Sequence, residues 1–145
     1  VMFIGTYQHN IDAKGRIIMP AKFREELGEA FYVTKGIHTG PEEGKGCLQV
    51  LSLAKWEEFL AKISALPVSK ATGLYRYFCA GADVSEPNAQ GRILIPDHLR
   101  QHACLEKEAV IIGCGTRVEI WNRENWENYL DRQAGEDIVA LLEMI

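Results

Sequence analysis

A chain of 145 residues has room for about one ordinary domain, and 47% hydrophobic against 25% charged residues is the balance of a soluble globular protein. No run of ~18 uninterrupted apolar residues marks a membrane span, and Val1-Met2-Phe3-Ile4-Gly5 lacks the basic start and long apolar core of a secretion signal, so a cytoplasmic protein with no membrane partner is expected. A net charge of −4 argues against a polyanion binder that works by overall charge alone.

The charge is uneven, however. Asp131 to Ile145 carries four acids and one base, whereas Asp12 to Arg24 carries Lys14, Arg16, Lys22 and Arg24 against the single acid Asp12. Screening limits the reach of distant charges to ~8–10 Å, so a local basic patch can hold phosphate on an acidic molecule.

In chain order, Thr6 to Ile11 reads as an extended stretch entering a turn, and Arg16 to Met19 as the strand leaving it. Pro20 suits the first position of a helix, where its missing N–H costs nothing. That helix is expected over Pro20–Leu27, with Gly28 as its stop. A hairpin follows, Ala30–Lys35 with Cys47–Leu51. Ser52 is a good N-cap, and Trp56, Phe59, Leu60 and Ile63 then make one apolar helical stripe. Ser69 to Ala80, bounded by Pro67 and Gly81, reads as a further helix. The same grammar then begins again. Ala82–Glu86 is extended, Arg92–Ile95 a strand, Pro96–Ala103 a helix, and Ala109–Gly113 with Arg117–Trp121 a hairpin turning at Gly113-Cys114-Gly115. Asn122 caps a last helix, striped by Trp126, Tyr129 and Leu130.

This is an internal repeat. Ile11-Asp12-Ala13-Lys14-Gly15-Arg16-Ile17-Ile18-Met19-Pro20 matches Pro87-Asn88-Ala89-Gln90-Gly91-Arg92-Ile93-Leu94-Ile95-Pro96 at an offset of 76, and Arg24 and Arg100 each stand four residues past the proline. Trp56-Glu57 and Leu60 match Trp126-Glu127 and Leu130 at an offset of 70, which places a six-residue-longer loop within Gly36 to Gly46 of the first copy. The chain accordingly divides into a first repeat (6–53), connecting helices (54–81), a second repeat (82–125), and a C-terminal helix with an acidic tail (126–145). Neither repeat has the apolar surface to stand alone, so the two are expected to interleave into one small α+β, mainly β, barrel. The stripes of Trp56/Phe59 and Tyr75/Phe78 exceed what a small barrel needs, which predicts a homo-oligomer built on those faces.

The turns hold the chemistry. An Asp side chain accepts hydrogen bonds from N–H groups two or three residues on and fixes a turn, and Gly15 supplies a positive φ at little steric cost. Lys14 and Arg16 flank that reversal. Arginine offers a planar fork for guanine or phosphate, and lysine a flexible point charge for phosphate. In the second turn Asn88 stands for Asp12 and Gln90 for Lys14, so Arg92 is less supported.

Together these motifs resemble the MraZ family of the SpoVT/AbrB-like group. The resemblance rests on Gly5-x-Tyr7, Asp12-x-Lys14-Gly15-Arg16, Pro20-Ala21-Lys22-Phe23-Arg24, Gly91-Arg92-Ile93-Leu94-Ile95-Pro96, and Glu119-Ile120-Trp121 with Trp126. It implies a double swapped-hairpin barrel within one chain. It also implies a transcriptional regulator of the division and cell-wall gene cluster, nucleoid-associated, binding short direct repeats in its own promoter as a ring-like homo-oligomer. On this reading DNA contact falls to Asp12, Lys14, Gly15, Arg16, Lys22, Arg24 and Arg92, chiefly Lys14 and Arg16. The alternative is an oligomeric barrel module that does not bind DNA.

Other chemistries find little footing. Cys47, Cys79, Cys104 and Cys114 show no zinc spacing and read as reduced, mostly buried residues. His98 and His102 share a helical face but no third ligand in register, so no metal or cofactor is expected. No nucleophile–base pair or phosphate loop is present in the sequence, so neither an enzyme nor a small-molecule substrate is expected.

Overall fold

The computed structural model describes residues 2–36, 46–135 and 138–145. The first repeat supplies β1 (Thr6–Asn10), β2 (Arg16–Ile18), α1 (Ala21–Leu27), β3 (Phe31–Lys35) and β4 (Leu48–Ser52), and α2 (Leu53–Ser64) opens the connecting segment. The helix α3 (Val68–Leu74) and a π-helical turn (Tyr75–Cys79) lead to β5 (Asp83–Ser85), β6 (Arg92–Leu94), α4 (Asp97–His102), β7 (Glu108–Gly113), β8 (Val118–Asn122), α5 (Arg123–Gly135) and α6 (Ile138–Leu142).

The hairpins are shared between repeats. Six strands form one antiparallel sheet in the order β1-β7-β8-β4-β3-β5, and β2 pairs with β6 in a separate ribbon. The opening strand of each repeat therefore lies against the hairpin of the other. Ile17 faces Ile93 at the middle of the ribbon, and Gln49 faces Glu119 at the middle of the sheet. Each is a residue opposite its own repeat equivalent, so a pseudo-two-fold axis passes through both pairs. Ribbon, sheet and short helices enclose one core that includes Ile17, Ile93, Phe23, Leu99, Val33, Val50, Ile111 and Ile120. This is the interleaved α+β, barrel-like arrangement expected, and burial drives it: a fully buried Phe or Ile side chain contributes ~1.5–3 kcal/mol.

Gln49 and Glu119 are the polar residues at the sheet's centre, and both are satisfied, as buried polar groups must be. Glu119 accepts from Arg117 Nε and Nη2 and from Trp121 Nε1, while Gln49 Nε2 donates to the Lys35 carbonyl.

Several boundaries differ from expectation. Pro20 and Pro96 occupy the N-cap positions of α1 and α4 rather than the first helical ones, with extended ψ of 137° and 151° that carry the chain out of the ribbon. The expected Ser69–Ala80 helix is α3 followed by a wider π turn closed by Ala80 N–H on the Tyr75 carbonyl. There Thr34 Oγ1 donates to the Phe78 carbonyl at 2.7 Å, tying the turn to β3. Phe31 and Ala109 hold equivalent places opposite Ser52 and Asn122, an offset of 78. The six-residue difference is thus a sum of two changes: the second repeat gains two residues before β7, and the first gains eight between β3 and β4. Of that loop, residues 37–45 lie outside the described residues.

The aromatic stripes are consumed within the chain. Trp56 stacks on Tyr32 at 4.8 Å and Phe59 meets Phe78 edge-on at 5.0 Å, leaving Trp56 and Phe78 buried. Trp126 and Tyr129 cover Trp121 in the second repeat. Of the side chains expected to form oligomer faces, Trp56 and Phe78 are thus buried, while Phe59 and Tyr75 are half-buried; exposed apolar side chains include Leu53, Leu66, Val68, Tyr77 and several from Ile138 to Ile145. Of the cysteines only Cys47 is buried; the other three are partly exposed, more open than expected.

Candidate nucleic-acid interface

The first turn is built by one carboxylate. Asp12 Oδ1 accepts from the Lys14 and Arg16 N–H groups, both at 2.9 Å, and Gly15 N–H donates to the Asp12 carbonyl at 3.0 Å. Gly15 has φ +80°, the left-handed region that favours glycine. Asp12 has a second oxygen to spend: Oδ2 accepts from Arg16 Nε at 3.0 Å. The Arg16 N–H, above all, holds the Asp12 carboxyl below the usual carboxylate value, with the Arg16 guanidinium adding to the effect. Gripped at Nε, Arg16 makes no hydrogen bond through its two Nη atoms among the described residues.

The second turn copies the backbone without the charge. Asn88 Oδ1 accepts from the Gln90 and Arg92 N–H groups at 3.0 and 2.9 Å, Gly91 N–H donates to the Asn88 carbonyl at 2.9 Å, and Gly91 has φ +79°. The amide's other end is a donor and cannot accept from a guanidinium. Arg92 Nη1 donates instead to Gln90 Oε1.

Each turn is locked by the opposite repeat. Met19 N–H donates to the Gly91 carbonyl and Ile95 N–H to the Gly15 carbonyl, at 2.9 and 3.0 Å. The Arg100 guanidinium lies over Gly15 where a side chain would begin, and the Arg24 guanidinium lies likewise over Gly91. Arg24 Nε also donates to the Met19 carbonyl at 2.9 Å. Arg24, expected as a DNA contact, is half-buried on α1, with Nε spent on the Met19 carbonyl and its guanidinium against the second turn. Lys22 is exposed on α1 and Lys14 on the turn. Arg100 was visible in the sequence only as the partner of Arg24 in the repeat.

The β2–β6 ribbon sorts its side chains by alternation. Ile17 and Ile93 point into the core, leaving Arg16, Ile18, Arg92 and Leu94 on the outer face. Arg16 pairs with Leu94 and Ile18 with Arg92, so the arginines sit on a diagonal about the pseudo-two-fold. A two-stranded ribbon is an element that the major groove of DNA admits, and arginine is its commonest specific reader.

Elsewhere the described residues offer less. His98 Nε2 is spent on the Gly81 carbonyl at 2.9 Å, and among the described residues no three His, Cys, Asp or Glu side chains gather as metal ligands. Burial pushes the Cys47 and Cys114 thiols up to about 12, so neither supplies a thiolate at neutral pH.

Comparison with known proteins finds relatives along nearly the whole chain. The family model described as "MraZ protein, putative antitoxin-like" matches residues 2–73 and 78–141, one turn in each segment. A protein of Heliobacterium modesticaldum named Transcriptional regulator MraZ is 50% identical over 135 residues, covering 92% of this chain and 90% of its own length. One of the same name from Caldanaerobacter subterraneus subsp. tengcongensis is 52% identical over 130 residues, covering 88% and 86%. A third, from Carboxydothermus hydrogenoformans, is 51% identical over 142 residues, covering 96% and 94%.

Proposed function

Since the chain belongs to the MraZ family, we propose that it is a sequence-specific DNA-binding transcriptional regulator that reads DNA with the outer face of its β2–β6 ribbon. The observation that carries this reading is Arg16, held through Nε by Asp12 on an exposed ribbon face with both Nη atoms unspent among the described residues. Such a fork is pre-oriented, so little side-chain freedom is lost when it bonds guanine O6 and N7. Lys14, exposed beside it, takes a phosphate. Gly15 shapes the turn, Arg24 and Arg100 hold the turns from across the axis, and Arg92 is a second, weaker contact. Lys22, on α1, adds phosphate attraction.

One ribbon with so few phosphate contacts binds weakly. Affinity then comes from assembly: copies joined as a ring-like homo-oligomer engage short direct repeats together, and linkage multiplies affinity through effective concentration. The exposed Ile138, Val139, Leu141 and Leu142 of α6 supply apolar surface for such contacts. The target is the protein's own promoter, upstream of division and cell-wall genes, which makes it a nucleoid-associated cytoplasmic protein.

The test is a shift assay on DNA just upstream of the protein's own gene, with fragments carrying one, two and three copies of any short repeat. Affinity should rise steeply with copy number and fall with salt. Equal affinity for these fragments and for scrambled DNA would overturn the proposal in favour of an assembly module without DNA binding.

A further inference from the structure

We infer that Leu94 is a second reading side chain of the ribbon, one that packs on the C5-methyl group of a thymine beside the base contacted by Arg16. The inference rests on the ribbon's proposed role as the DNA-reading element and extends it from a charged contact to an apolar one.

Leu94 lies between Ile93 and Ile95, which are buried, yet it is itself 55% exposed. Strand alternation therefore puts it on the same outer face as the arginines. It is the direct cross-strand partner of Arg16. Side chains so paired stand about 4.5–5.5 Å apart at Cβ, and base pairs along a strand repeat every ~3.4 Å. A ribbon that sets Arg16 on one base thus brings Leu94 to the same or an adjacent step.

The chemistry then selects the target. A binder that held only phosphate would have no use for an uncovered leucine next to its arginine. The major groove presents one apolar group, the thymine methyl, and apolar side chains read it there. The first repeat supplies a counterpart in Ile18, opposite Arg92, but Ile18 is half-buried while Leu94 protrudes. The better-held arginine and the more exposed apolar side chain therefore stand together at one end of the ribbon. That end reads a guanine–thymine combination, and the pseudo-two-fold of the backbone is broken in a way that gives each bound copy a direction along the DNA.

The probe is the upstream duplex retained in the shift assay, with each thymine of the repeat replaced in turn by deoxyuridine, which removes only the methyl group. The intact protein should lose about fourfold in affinity at one thymine per repeat, the worth of burying one methyl group. Leu94→Ala should bind the natural duplex more weakly by a similar factor and should no longer distinguish thymine from uracil at that position. Binding of the natural duplex with no thymine-methyl dependence would overturn the inference while leaving the proposed function standing. Methyl dependence that survives in Leu94→Ala would also overturn it, and a change in oligomer size alone would assign Leu94 to a contact between copies instead. Failure of the intact protein to prefer the duplex over scrambled DNA is a different outcome, and it removes the proposed function itself.

Discussion

The turns at Asp12–Arg16 and Asn88–Arg92 match hydrogen bond for hydrogen bond along the backbone, and their glycines have φ of +80° and +79°. They differ in two charges, Asp12 against Asn88 and Lys14 against Gln90. The side-chain oxygen that shapes the turn is supplied equally well by Asp or Asn, so the fold needs the oxygen and not the charge. What the carboxylate adds is a grip on the arginine: Asp12 holds Arg16 at 3.0 Å, whereas Arg92 turns to Gln90. The two copies of one motif thereby separate what shapes the turn from what holds its arginine.

Exchanging that chemistry is expected to give the largest effect. Asp12→Asn and Lys14→Gln made together with Asn88→Asp and Gln90→Lys should move the dominant contact to the second turn. In that background Arg92→Ala should cost on the order of 1–3 kcal/mol of DNA binding per engaged subunit, and Arg16→Ala less. If Arg16 stays dominant in titrations against upstream DNA, something other than the turn residues ranks the two arginines.

Next in size is the backbone. Gly15→Ala and Gly91→Ala each place a side chain at positive φ, costing about 1–2 kcal/mol of stability, and each displaces the arginine above it, Arg100 or Arg24. Denaturant unfolding should show similar losses for the two. A large inequality would contradict the equivalence of the two backbones.

Smaller still is the effect of Asp12→Asn on stability. The Asp12–Arg16 pair is about a third exposed, and exposed pairs are screened by solvent and contribute little, so melting should shift little while DNA binding weakens. A strong loss of fold would mean that the charge, and not only the oxygen, builds the turn.

The smallest expectation concerns pH. The Asp12 carboxyl is held below its usual value, chiefly by the Arg16 N–H. Its contribution to stability is present above the usual Asp pKa of ~3.9 and is lost as pH falls through the lowered one. The stability difference between the natural chain and Asp12→Asn should therefore stay constant from pH 8 to 5 and shrink only below about pH 4. A change near pH 6 in thermal melts would point to another group.

The turns were legible in the sequence because their determinants are local: an Asp or Asn, a glycine three residues on, an arginine next, all repeated at an offset of 76. The strands and short helices were legible for the same reason, through alternation and the prolines. The long-range partners were not. That Arg24 would cover Gly91, and Arg100 Gly15, depends on the repeats crossing over, and no local pattern records which copy a strand will pair with. The split of one length difference into two compensating changes was hidden because the flanking motifs report only their sum. The π turn at Tyr75–Cys79 is bonded to the distant Thr34 hydroxyl, a contact that no local pattern records. Leu94 read as one more apolar strand residue until the ribbon register set it beside Arg16.

The measurement that bears most directly on the central claim is the affinity of the natural chain and of Arg16→Ala for upstream and scrambled duplexes at two salt concentrations, with circular dichroism to show that both are folded. The account predicts that Arg16→Ala loses most of the preference for the upstream duplex, on the order of 1–3 kcal/mol per engaged subunit, while weak salt-dependent binding through Lys14 persists. A folded Arg16→Ala that keeps the full preference would contradict it.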